Sequence, residues 1–362
     1  MANSNRNNNI GVLHFIAALF VMYGHQCALL QLPVPILFGA GIQTIGVKII
    51  FILSGYLITQ SLWSQKESPL NVIRIYLTKR LSRIYPELIG CLFISVFIIG
   101  PLFTCLTQNE YWRTVPYSRY ITANIRMYPV YSLPGVFTEN LYPNAINGSL
   151  WTLPVELFLY AVILIIFLIS TRPDVKKYIY ITVSFILLTL SIIRIALFPN
   201  ASLIFYGTDW LQALNIMPYF LIGGTAKLLS NKKFFNVQIS AVLLIIFSWI
   251  SFEIQWLNEL ICLSILSYFV LALSLTDEQK LHFRWIKCEY AYGIYLYGFI
   301  VQQCIISKLY TSSTFPNKWI AFTISVILTY ILAALSFKFI YTPFIKLCYL
   351  HNVYNKDARI PK

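Results

Sequence analysis

The chain has 362 residues, 58% of them hydrophobic and only 11% charged, with a mean hydropathy of +0.69. Soluble domains carry about 25% charged residues, so this composition excludes an ordinary soluble protein and implies an integral membrane protein. The net charge of +14 does not imply a nucleic-acid partner, because the basic residues sit mainly in short connections between apolar segments, as membrane topology demands.

Hydropathy predicts an all-α, polytopic fold with about ten transmembrane helices. The spans fall near 10–31, 40–62, 84–106, 149–170, 178–198, 209–229, 237–252, 259–275, 290–308 and 319–341. With the amino terminus inside, 20 of the 27 Lys and Arg residues lie on the cytoplasmic side, which predicts that both termini are cytoplasmic. No internal repeat stands out. Residues 1–345 are expected to form one membrane domain and 346–362 a short basic tail. The first apolar run is too long for a signal-peptide core. The seven cysteines are scattered without a Cys-x-x-Cys pair, so neither a metal site nor a disulfide framework is expected. The one long connection, 107–148, is rich in Tyr, Pro and Asn and is predicted to lie outside; loops of that length are usually functional.

In chain order, the first span contains His14 and His25. Eleven residues close three helical turns to within about 20°, so both rings share one face about 16 Å apart. A titratable stripe in a membrane span is costly and marks a functional candidate. The second span holds Lys48 and Gly55 on one face. A cation there needs a partner or a water-filled cavity, and the glycine admits a ligand or another helix. The simpler reading is a helix-packing notch with a lysine snorkelling outward.

The third span opens with Arg80-Leu-Ser-Arg83-Ile-Tyr-Pro86-Glu87. Arginines at i and i+3 make a clamp for phosphate oxygens. From spacing alone the better reading is a positive-inside flank with Arg83 paired to Glu87. In Ser149-Leu-Trp151-Thr-Leu-Pro154-Val-Glu156, Ser149 reads as an N-cap, Pro154 falls in the first turn and Trp151 suits an interface. Glu156, about two turns further in, has no such structural excuse and is a functional candidate. Tyr292-Gly-Ile-Tyr295-Leu-Tyr-Gly298 reads as packing and interface. Asp209 and Glu259 read as helix caps, and His282 and His351 as solvated residues.

Together these stretches resemble the integral-membrane acyltransferase family 3, the O-acetylases of bacterial surface polysaccharides and related glycans. The resemblance is carried by Leu13 to His25, Gly46 to Thr59, Arg80-x-x-Arg83-Ile-Tyr-Pro86, Ser149 to Glu156 and the Tyr292 patch, in the family's order over essentially the whole chain. Two positions depart from it: His14 stands where the family has arginine, and Gly298 where it has histidine. The resemblance implies an inner-membrane, multi-pass enzyme that transfers acetyl from cytoplasmic acetyl-CoA to a hydroxyl of a glycan or lipid-linked saccharide. No permanently bound cofactor or metal is implied, and no carboxy-terminal hydrolase-like domain is expected.

The resemblance assigns His25 as general base, with Glu156 beside it as a catalytic or acceptor-orienting group. On the donor side it implies Arg80, Arg83, His14, Lys48, Ser54 and Gly55, the last three as candidates for stabilising an oxyanion. On the acceptor side it implies Trp151 and Tyr295. The competing function is a secondary transporter using His25, Lys48 and Glu156 as proton or substrate sites. A membrane subunit without chemistry is a third reading, which His25 and Glu156 argue against.

Overall fold

A computed structural model of the protein describes residues 8–229, 235–275, 288–309 and 317–348. His282, His351 and most of the predicted tail lie outside the described residues. The principal helices are α1 (Asn8–Leu29), α2 (Ile42–Trp63), α3 (Pro69–Ile94), α4 (Gln108–Thr114), α5 (Thr152–Ile169), α6 (Pro173–Leu197), α7 (Met217–Leu229), α8 (Val237–Ser248), α9 (Gln255–Leu275), α10 (Ala291–Leu309) and α11 (Lys318–Ser336). Two small antiparallel hairpins, Ile36–Leu37 with Ala40–Gly41 and Ile204–Phe205 with Thr208–Asp209, are the named strands. Each turns on an aromatic–glycine pair with positive φ at both residues, Phe38-Gly39 and Tyr206-Gly207, the turn whose twist suits a two-residue hairpin.

The all-α architecture holds. Among the described residues seven helical segments are long and apolar enough to cross a membrane: Asn9–Leu29, Ile42–Trp63, Pro69–Phe103, Gly148–Ile169, Pro173–Leu197, Gln255–Leu275 and Lys318–Cys348. The predicted span 209–229 is interrupted: a four-residue helix, Trp210–Ala213, precedes the 13-residue α7. At 1.5 Å per residue α7 is about 20 Å long, short of a 30 Å hydrocarbon core. The 237–252 stretch forms only the 12-residue α8. Helix α10 has 19 residues but is diluted by Gln302, Gln303 and Lys308. The third span starts earlier than expected, so Arg80 and Arg83 lie inside α3 rather than in a connection before it.

The chain divides into two compact units. The first comprises residues up to 73, 127–129 and 150–291. Its helices meet through glycines. A methyl group added at Gly55 of α2 would overlap the Phe220 carbonyl of α7, and one at Gly223 of α7 would overlap the Ile52 carbonyl of α2. Such mutual backbone approach is how helices associate where lipid removes the hydrophobic drive. Helices α1 and α2 run antiparallel, with Gly24 against Gln43 and Gly46 against Ala17 and Val21.

The second unit comprises 74–126, 130–149 and residues from 292 onward. Its long connection is closed by side-chain amides, which explains the asparagines that the sequence concentrates there. Asn124 donates to the Tyr120 and Val130 carbonyls at 2.8 and 2.9 Å and accepts from the Val130 N–H at 3.1 Å. Gln303 of α10 donates to the Tyr142 and Ala145 carbonyls, both at 2.9 Å, and accepts from Asn140 at 2.7 Å. After α3 the helix continues through a π-helical turn, Ser95–Ile99. That turn releases the Val96 carbonyl, which accepts from the Tyr111 hydroxyl at 2.8 Å. The ring of Tyr111 lies on Gly100, where no side chain would fit.

Candidate active site

His14 and His25 are both half-buried on α1. The Nδ1 of His14 lies 2.8 Å from the Ile10 carbonyl, one turn back. That contact fixes the ring along its own helix. His25 follows Gly24, so the antiparallel packing of α1 on α2 sets it level with the first turn of α2. Lys48 is one and a half turns further along α2.

Lys48 does not snorkel. It is 1% exposed, its Nζ 2.8 Å from Glu259 Oε2 of α9 and 3.8 Å from Cys262 Sγ. The ammonium also lies 4.7 Å from the centre of the Tyr219 ring, and the Tyr219 hydroxyl donates to Glu259 Oε1 at 2.8 Å. Glu259 is therefore the counter-ion of Lys48 and not a helix cap. Desolvating a cation inside a bundle is tolerable only with such a partner. Glu259 and Cys262 share a face of α9 at i and i+3, the one sequence signal that could have pointed to this cluster.

Gly55 is occupied by helix packing, the simpler of its two readings: the α7 backbone takes the space a ligand would need. The N–H groups of Ser54 and Gly55 lie in the middle of the uninterrupted α2. They are used by carbonyls one turn back, which closes their role as oxyanion donors. The side chain of Ser54 is half-buried.

Glu156 is half-buried in the second turn of α5 and accepts a short hydrogen bond from the Tyr160 hydroxyl, one turn on. The Tyr160 ring in turn tilts against Phe220 of α7, 6.2 Å between centres. Pro154 falls in the first turn of α5 as expected. Ser149 does not cap the helix: it sits in a 3₁₀ turn, Gly148–Trp151, and its own N–H donates to Asn147 Oδ1 at 3.0 Å. Trp151 is half-buried at the junction. Asp209 caps as predicted, accepting from the Leu211 and Gln212 N–H groups.

In the second unit, Tyr295 donates to the Ser149 carbonyl at 3.1 Å. Arg80 and Arg83 are both half-buried on α3. The Arg80 guanidinium carbon lies 5.7 Å from the centre of the Tyr76 ring. That of Arg83 lies 5.5 Å from Tyr292 and 6.0 Å from Tyr341. Glu87, one turn on, is fully buried, and neither carboxylate oxygen has a hydrogen-bond partner. The expected Arg83–Glu87 hydrogen-bonded pair is thus not formed. Sequence reasoning missed Tyr341 altogether, because it lies about 258 positions away from Arg83 and no periodicity links them.

The structure thus brings Lys48 together with Glu259, Glu156 with Tyr160, and Arg83 with Tyr292 and Tyr341. The chain is 27% identical over 307 residues to an O-acetyl transferase of Shigella phage Sf6, covering 84% of this chain and 87% of the phage protein. It is 31% identical over 168 residues to nodulation protein 10 of Rhizobium leguminosarum bv. viciae, covering 44% of this chain and 43% of that relative. No solved structure matches it. The profile of a family described as an acyltransferase domain matches residues 7–338, nearly the whole chain, and the protein therefore belongs to that family of acyltransferases.

Proposed function

We propose that the protein is a multi-pass inner-membrane O-acetyltransferase that moves acetyl from cytoplasmic acetyl-CoA to a hydroxyl of a cell-surface glycan, such as an O-antigen or exopolysaccharide. The observation that carries this reading is the family match over 7–338, joined to the likeness to the phage O-acetyl transferase over most of both chains. The excess of Lys and Arg on one side of the predicted topology supports termini in the cytoplasm and the Arg80–Arg83 stretch near the cytoplasmic end of α3.

In this reading Arg80 and Arg83 bind the donor's phosphates, for which guanidinium groups give bidentate contacts. The pantetheine arm, about 15–20 Å long by bond counting, carries the acetyl group into the bundle. His25, toward the outer end of α1, takes the proton of the acceptor hydroxyl as its oxygen attacks the thioester carbonyl. The carbon–sulfur bond then breaks, and the CoA thiolate recovers a proton from the imidazolium. Glu156, held by Tyr160, orients the acceptor with Trp151. Lys48, neutralised by Glu259, braces the helices that carry this machinery, and His14 stands at the donor side as a cation only when protonated.

The test is purified protein in lipid with labelled acetyl-CoA and free or lipid-linked glycan, wild type beside His25→Ala. The wild type is expected to transfer label, and loss of the general base to cost about 10²- to 10⁴-fold in rate. Absence of transfer to every acceptor tried, with substrate flux in proteoliposomes, would replace the enzyme by the transporter reading.

A further inference from the structure

Arg83 is enclosed in a way that Arg80 is not. Two rings from distant parts of the chain, Tyr292 at the start of α10 and Tyr341 after α11, stand 5.5 and 6.0 Å from its guanidinium carbon. The Tyr292 ring is pinned by its hydroxyl, which donates to the Ile84 carbonyl at 3.2 Å. Tyr341 reaches Arg83 because α11 ends in a π-helical turn, Phe337–Tyr341. A π-turn inserts one residue, and in an unbroken α-helix residue 341 would be rotated by about 100° away. The Tyr341 ring is fixed further by stacking on Phe337, 5.0 Å between centres.

Beneath the guanidinium, one turn along α3, lies the buried Glu87. A methyl at Gly293, next to Tyr292, would come within 3.2 Å of its Oε1, so this glycine leaves room for the carboxylate. Neither Glu87 oxygen accepts a hydrogen bond, so Glu87 consumes none of the N–H groups of Arg83.

We propose that Tyr341, aimed by the π-helical turn, and Glu87 are positioning residues that hold Arg83 preorganised for a phosphate of the acyl donor. The proposal rests on the donor-binding reading of Arg83 given above. The two rings restrict the guanidinium plane, and a fixed fork loses less freedom when it meets an anion.

The experiment measures KM for acetyl-CoA, KM for S-acetylpantetheine (which lacks phosphates) and kcat, in Tyr341→Leu, Glu87→Gln, Arg83→Ala and the doubles Arg83→Ala/Tyr341→Leu and Arg83→Ala/Glu87→Gln. Arg83→Ala should raise KM for acetyl-CoA by about tenfold or more, the value of a charged hydrogen bond. Tyr341→Leu and Glu87→Gln should each raise it by about three- to tenfold with kcat little changed, since both groups act on the donor only through Arg83. Neither should alter KM for S-acetylpantetheine, and neither should add to the defect in the Arg83→Ala background. A purely structural role would instead move both donors alike. If Arg83→Ala raises KM but the other two variants leave it unchanged, or if their defects persist without Arg83, the positioning proposal is overturned. If Arg83→Ala itself leaves KM unchanged, both the donor-binding reading and the proposal fall.

Discussion

The two units each set a cation near a carboxylate and a phenol, and they arrange them in opposite ways. In the first unit the set is closed. Lys48 bonds Glu259, Glu259 accepts from Tyr219, and the Tyr219 ring faces the ammonium. Lys48 finds its counter-ion and a facing ring within the trio, with Cys262 Sγ as a further contact. In the second unit the rings face Arg83 but the Glu87 oxygens accept nothing. Closed charge networks fix helices; a guanidinium oriented by rings keeps its donors for something else. This contrast fits Lys48 as a brace and Arg83 as the donor-binding group proposed above.

The comparison breaks most visibly at Lys48. Lys48→Met leaves Glu259 as a half-neutralised carboxylate, and losing one partner of a buried pair typically costs about 3–5 kcal/mol. Thermal unfolding of the purified protein should show a large fall, largely restored in Lys48→Met/Glu259→Gln, where the uncompensated charge is gone. Equal stability of the single and double variants would mean that the pair carries no structural weight.

Next in size is the α2–α7 notch. Gly55→Ala puts a methyl into the Phe220 carbonyl. Overpacking of that kind costs about 1–3 kcal/mol, and the obstacle here is backbone that cannot rotate away. Reduced thermal stability with donor affinity unchanged in the surviving folded fraction is expected. A stable Gly55→Ala protein with weakened acetyl-CoA binding would return Gly55 to the donor site.

Arg83 should behave in the opposite sense to Lys48. Arg83→Lys keeps a positive charge near the buried Glu87 and should change stability by about 1 kcal/mol or less, while acetyl-CoA binding is weakened because the ammonium lacks the guanidinium fork. A stability loss like that of Lys48→Met would erase the distinction between the two units.

What the sequence made legible follows from range. His14 and His25 on one helical face, the Gly55 notch, the Pro154 first turn and the Asp209 cap are all local, and periodicity or capping chemistry reads them directly. Membrane character and helix type followed from composition for the same reason. The partner of Lys48 lies 211 residues away and Tyr341 about 258 residues from Arg83, and side-chain periodicity carries no information across such separations. The π-turns that aim Tyr341 and free the Val96 carbonyl have no residue signature, so the register they impose is visible only in the fold. At 209–229 hydropathy persists through a broken helix, since a window average does not see a turn.

The smallest effect belongs to the exposed cap of α4 in the second unit, where the electrostatics is local and open to solvent. Thr107 and Glu110 form a reciprocal capping box: the Thr107 hydroxyl and N–H both donate to Glu110 Oε2, at 2.8 and 2.9 Å, and the Glu110 N–H donates back to Thr107 Oγ1 at 3.3 Å. The hydrogen bond from the Thr107 hydroxyl, and then that from its N–H, hold the Glu110 carboxyl below the usual carboxylate range. A depressed folded-state value means that the cap contributes fully above the ordinary carboxylate pKa and is lost as pH falls through the depressed one. Amide exchange at the first turn of α4 should therefore be slow at neutral pH and quicken only in acid, relative to amides of the same loop closed by Asn124. Glu110→Gln should flatten that pH dependence. Because the far side of α4 stays anchored through Tyr111 on the Val96 carbonyl, the fraying should remain confined to the first turn. Acid-induced exchange spreading past Tyr111 would show that the exposed box, and not the buried tyrosine, holds this helix.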